Sequence, residues 1–115
     1  EPRVHHRVLE RDGEVCGQGI ETAGQVTVRV DWAHLDWPER VVVETPTHFY
    51  LLGFGETLDA AVADVLEVSR TWLANRLGLS RQEAWALLGT VCDLGIGQLV
   101  NPRKTVKMAI PKAIL

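Results

Sequence analysis

The stretch from Thr57 to Val91 constrains the fold most, because it encodes two helices joined by a linker too short to separate them. Leu58, Ala61, Val62, Val65, Leu66, Ser69, Trp72 and Leu73 recur at helical spacing, with Asp64, Glu67 and Arg70 on the opposite side. Thr57 suits the N-cap, Asp59 stands in the first turn where the helix dipole favours a carboxylate, and Gly78 fits the left-handed position after the last turn. A second helix starts at Ser80, where "SRQE" reads as a capping box closed by Glu83. Its apolar face is Ala84, Leu87, Leu88 and Val91. The "GLS" linker predicts an angled or antiparallel helix pair.

Alternating stretches flank these helices. Residues 26–30, "VTVRV", predict a half-buried strand with Val26, Val28 and Val30 on its apolar side. In "RVVVETPTHFYLLGFG", residues 41–43 and 49–52 read as strands that end at Gly53 and Gly55. Pro46 breaks the run, because it cannot donate to a ladder. Between these stretches, Trp32 and Trp37 are expected as packing anchors and Pro38 biases Trp37 towards extended backbone. After the helices, "DLGIGQLVN" has strand character weakened by glycine, "NPRK" is a turn, and "TVKMAIPKAIL" alternates. The order β-β-β-α-α-β-β predicts an α+β fold: an antiparallel sheet with two helices packed on one face, and a β-rich N-terminal part. The expected organisation is a β-rich segment over 1–37 and an α+β domain over 38–115.

Composition narrows the function classes. The chain has 115 residues, enough to bury a core, with 46% hydrophobic residues, 23% charged residues and a net charge of -3. Nucleic-acid binding needs clustered basic residues to neutralise phosphates, and no Lys/Arg block supplies them. Arg103, Lys104, Lys107 and Lys112 gather near a turn and an alternating stretch, which reads as a solvated strand face. No apolar run is long enough to span a bilayer, and Glu1-Pro2-Arg3 does not resemble a secretion signal. Two distant cysteines, Cys16 and Cys92, suggest free thiols in a reducing, cytoplasmic setting, with pairing between them left open. A start at Glu1, within a polar stretch, is expected of a piece of a longer or processed chain.

Near the start, "RVHHRVLERDGEVCGQGIE" holds His5, His6 and an Asp12-Gly13-Glu14 turn. From the residues alone, this is either an ordinary polar hairpin or the rim of a metal or acid–base site. Histidine is a good zinc ligand, and a glycine beside a carboxylate lets the backbone come close to a small substrate.

The motifs together resemble the acetamidase/formamidase family. "DGEVCGQGIET" is similar to the family's "GDGEVCGTGIE" signature. The likeness continues through "VETPTHFYLLGF", "TLDAAVADVL", "GLSRQEAWALL", "CDLGIGQLVNP" and "VKMAIPKAIL". In the family, the last two read much like "DLRITQLVD" and "VHVMIPKSIF". The order is preserved over nearly the whole chain, and the match is to the C-terminal portion of a family member.

The resemblance implies a cytoplasmic amidohydrolase that converts short aliphatic amides, such as formamide and acetamide, to a carboxylate and ammonia. It also implies metal assistance, with zinc the expected ion, and a homo-oligomer or an N-terminal partner chain that completes the site. It makes Glu14 a base or metal ligand, with His5 and His6 as further ligands. Asp93 and His48 are the other expected catalytic residues, and Glu44 and Gln98 are expected to bind substrate. Two departures stand out. The family's "D-x-H" pair upstream of the DGE turn falls on His5 and Arg7, and arginine has no lone pair to offer a metal. Gly95 and Gly97 replace an arginine and a small hydroxyl residue. The rival reading, from a different class, is a catalytically inactive assembly domain that kept the fold; a third is a small-molecule binding module without turnover.

Overall fold

A computed structural model describes residues 13–19, 21–30 and 40–115. His5, His6, Arg7, Asp12, Trp32, Trp37 and Pro38 lie outside the described residues. The elements are β1 (Val42–Glu44), β2 (His48–Gly55), α1 (Leu58–Leu77), α2 (Arg81–Val91), β3 (Asp93–Gln98) and β4 (Lys104–Pro111), followed by a 3-10 turn at Lys112–Ile114. The four strands form one antiparallel sheet in the order β1-β2-β4-β3. This is the α+β architecture expected from the element order.

Both helices lie on one face of the sheet: α1 crosses β2 and β4, and α2 packs on α1 and reaches β4. Alternation explains which residues meet them. Phe49 and Leu51 on β2, with Val106, Met108 and Ile110 on β4, turn towards the helices. There they join Ala61, Val65, Trp72, Leu73, Ala84 and Leu88 in a single core. Each fully buried Leu or Ile in such a core stabilises the fold by about 1.5–3 kcal/mol. Phe49 meets Trp72 edge to face at 5.3 Å.

The caps follow the sequence reading. The Thr57 side chain accepts from the Ala60 N–H, Ser80 and Glu83 close a reciprocal capping box, and Gly78 takes φ 65° after α1. The turn at Pro46 is closed by Thr45, whose backbone N–H donates to the His48 carbonyl while its hydroxyl accepts from the His48 N–H.

Three expectations need correction. Gly53 does not end β2, which runs on to Gly55. Glycine is needed there for close approach: a Cβ on Gly53 would lie 2.5 Å from Val65 Cβ and 2.6 Å from the Ala61 carbonyl oxygen. Residues 26–30 are not in a strand, and Val26, Val28 and Val30 are 84%, 76% and 92% exposed. Alternation defines a face but does not supply the partner backbone that makes a strand. Finally, the basic residues do not share one solvated face. Lys104 Nζ donates to the Leu99 and Asn101 carbonyls, Arg103 stacks over Phe54, and Lys112 pairs with Glu44 on the helix side.

Candidate functional site

The candidate site lies on the sheet face turned away from the helices. Register arranges it in rows, because directly paired residues point to the same side. Asp93, Ala109 and Tyr50 form the first row across β3, β4 and β2. Gly95, Lys107 and Leu52 form the second, and Gln98, Thr105 and Phe54 the third. A bulge between Ile96 and Gln98 creates that third row. Without it, Gln98 would have the same parity as Leu94 and Ile96 and would point to the helix side.

The DGE turn is seated on this bulge. The Leu99 N–H donates to the Glu14 carbonyl at 2.9 Å. Residue 13 must be glycine for the turn to come so near, since a Cβ there would stand 2.6 Å from the Gly97 carbonyl oxygen and 2.7 Å from Gln98 Cβ. The exposed Glu14 side chain folds back over Gly19, with Oε1 2.9 Å from where a Cβ on Gly19 would be. Glu14, far from β3 in sequence, thus stands beside the Gln98 end of that strand.

The other expected site residues are dispersed. Gln98 has both ends of its amide engaged: Nε2 donates to the Arg103 carbonyl at 2.7 Å, and Oε1 accepts from the Asn101 N–H at 3.0 Å. That arrangement fixes the turn between β3 and β4. Asp93 stands at the opposite end of β3, roughly 15 Å away at about 3.3 Å per residue. A one- or two-carbon amide cannot touch both. His48, at the start of β2, pairs with Pro111; its Nδ1 lies 2.9 Å from Thr47 Oγ1 and its ring 5.8 Å from that of Tyr50. Glu44 is separated from all of these. It pairs in register with Phe49, so it points to the helix side, where Lys112 Nζ binds its carboxylate.

Among the described residues, no three His, Cys, Asp or Glu side chains come together as a metal site. Of the expected ligand set, Glu14 is described, and His5 and His6 lie outside the described residues. Cys16 and Cys92 are both free thiols. Burial, helped by the neighbouring charge of Asp93, pushes the Cys92 thiol up to about 11, so it is held neutral and packs as a small apolar group. No described helix is long and apolar enough to cross a membrane.

Lys107 and Tyr50 occupy the centre of the outer face, and sequence reasoning did not single them out for function. A Cβ on Gly95 would lie 3.0 Å from Lys107 Cε and 3.3 Å from its Cγ, so the lysine stem runs across the bare glycine. Lys107 Nζ lies 5.3 Å from the centre of the Tyr50 ring. The signal in the sequence was a glycine inside a strand, which marks close approach by another group.

No protein-family model and no curated protein matches the chain. Solved structures do. An acetamidase from Bacillus halodurans is 40% identical over 64% of this chain, with a TM-score of 0.61. A predicted acetamidase/formamidase from Thermoanaerobacter tengcongensis is 27% identical over 64% of the chain, again at 0.61. An acetamidase from Yersinia enterocolitica, 22% identical over 64% at 0.60, shows likeness of fold alone. The chain covers 25%, 25% and 22% of these proteins, so it spans about a quarter of their length or less.

Proposed function

We propose that this chain contributes to a site that hydrolyses short aliphatic amides, such as formamide and acetamide, to a carboxylate and ammonia. The observation that carries the reading is the 40% identity to the Bacillus halodurans acetamidase over 64% of the chain, on a shared fold. The reaction needs a base to take a proton from water as its oxygen attacks the amide carbon. It then needs a proton for the nitrogen as the C–N bond breaks. Glu14 suits the role of base, because its turn is anchored to Leu99 and its carboxylate is exposed. His48 and Asp93, the other residues expected to be catalytic, both stand at the far end of the sheet from Gln98, so a small amide bound beside Glu14 is out of reach of either. Gln98 shapes the turn beside Glu14, while Glu44, bound to Lys112 on the helix side, lies away from it.

Zinc, when bound, would polarise the carbonyl and acidify the attacking water. The described residues supply Glu14 alone of the expected set, so no step is assigned through the metal. Because the chain spans about a quarter of its structural neighbours, further residues come from self-association or from a β-rich partner segment. Exposed Leu94 and Ile96 at the β3 edge support such an assembly. The two free thiols favour a cytoplasmic setting.

The decisive measurement is ammonia release from formamide and acetamide, with and without added zinc, by the protein in its native length. Glu14→Gln should lower turnover by about 100-fold or more, the usual worth of a general base. Absence of ammonia from both amides, with zinc present, sinks the enzyme reading. The second reading, an inactive assembly domain, is favoured by Gly95 and Gly97 standing where the resembled family carries an arginine and a small hydroxyl. It expects concentration-dependent self-association in light scattering, with no turnover.

A further inference from the structure

We infer that the open edge of β3 is a docking surface for residues 26–30 of a second copy of this chain, which add to the sheet as a further, antiparallel strand. β3 ends the sheet, and among the described residues only β4 is laddered to it. Such an edge presents a row of unpaired N–H and C=O groups. Lysine and proline, the usual guards of an edge, are absent from Asp93–Gln98. Its apolar side is uncovered as well. Leu94 pairs with Met108 and Ile96 with Val106, so all four point to the helix side. Met108 and Val106 are buried in the core there, whereas Leu94 and Ile96, one strand further out, are 48% and 49% exposed.

Residues 26–30 are the matching half. Among the described residues they have no ladder, and Val26, Val28 and Val30 form an open apolar side. Of the antiparallel registers that set valines against Leu94 and Ile96, one also sets Arg29 against Asp93. It places Val26 opposite Ile96, Thr27 opposite Gly95 and Val28 opposite Leu94, all ahead of the β3 bulge. The valines then cover Leu94 and Ile96, while Thr27 and Arg29 extend the outer face beside Gly95 and Asp93, with opposite charges facing each other. Arg29 already has a contact in its own chain, so the charge pair selects the register, and the apolar pairs and backbone ladder hold the strand. Every copy carries both halves. Two copies therefore exchange strands about a two-fold axis and leave neither half open.

The experiment measures the mass of the full chain by light scattering as it is diluted. A dimer that dissociates on dilution is expected. Val28→Asp and Leu94→Lys, both at exposed positions, should each weaken it about tenfold or more, since a charge replaces one side of an apolar pair. In the dilute monomer neither should change stability. Combined, they should recover dimerisation, because the two new charges face each other across the interface. Crosslinking checks the register. Chains with Val28→Cys are mixed with chains with Leu94→Cys, both on a Cys16→Ser, Cys92→Ala background, and oxidation should join the two kinds of chain. A chain that stays monomeric at every concentration overturns the proposal, as does a dimer that neither charged variant weakens. A chain carrying both new cysteines that closes the disulfide within one molecule also overturns it, because its own residues 26–30 then fill the edge. The inference goes beyond the amide-hydrolysis reading, and the two fail separately. An exchanged dimer that releases no ammonia removes that reading alone. Ammonia release by a chain that is always monomeric removes this one alone.

Discussion

Residues 26–30 and strand β4 carry the same alternation of apolar and polar side chains, yet only β4 is a strand. In β4, Val106, Met108 and Ile110 are 1%, 3% and 0% exposed; Val26, Val28 and Val30 are 84%, 76% and 92% exposed. β4 has β2 on one side and β3 on the other, so its backbone groups are paired, and α1 covers its apolar face. Among the described residues, no strand is laddered to residues 26–30, and their three valines stand open to solvent. Alternation therefore states which side would be buried. Burial itself needs a neighbouring backbone and an apolar cover, and both come from elsewhere in the chain.

The sharpest way to test that contrast is Leu51→Ala, which empties a fully buried position on β2 under α1. It should cost about 2–5 kcal/mol, read as a lower urea midpoint. A loss no larger than that of a surface substitution would mean that the covered face is not the core.

A smaller effect is expected where α1 is tied to the sheet. Burial alone would push the Asp64 carboxyl up. The Phe54 N–H at 3.0 Å and the Arg40 guanidinium at 2.9 and 2.7 Å outweigh it and hold the carboxyl below its usual range. The folded value lies below the unfolded one, so the stabilisation is complete above about pH 4 and fades as pH falls through the folded value. The pair is partly exposed, which limits its worth to about 1 kcal/mol. Asp64→Asn should flatten the acid limb of the stability–pH curve. An unchanged limb would show that the carboxylate is not what links α1 to β2.

The smallest effect is expected at Val28→Asp, within about 0.5 kcal/mol of the parent chain. A loss above about 1 kcal/mol would break the comparison, by showing that residues 26–30 are packed in solution.

The outer face shows where sequence reasoning about the site ran short. Glu14 was legible because its motif is local, and glycine at 13 and 19 is what its close packing requires. Glu44 and His48 lie four residues apart in "ETPTH", and the resemblance put both at the site, one binding substrate and one catalytic. Strand parity separates them: the tight turn sends Glu44 to the helix side with Phe49, and His48 to the side of Tyr50. Asp93 and Gln98 were read together as well, and their distance along an extended strand parts them. Lys107 was passed over as a solvated lysine, since nothing nearby in sequence marks it. Its packing across Gly95, a cross-strand partner 12 positions away, comes from strand pairing.

By itself, the sequence determined the elements that depend on local interactions. These are the two helices with their caps, the break at Pro46, the alternation of β2 and β4, and so the α+β class. Such features rest on spacing and on hydrogen bonds between near neighbours. Tertiary structure alone decided which alternating stretch became a strand and that β4 would enter between β2 and β3. It also decided, through the bulge, that Gln98 would join the outer face, and that Lys107 would lie across Gly95. Those outcomes depend on pairing between distant segments, where a shift of one residue moves a side chain to the other face of the sheet.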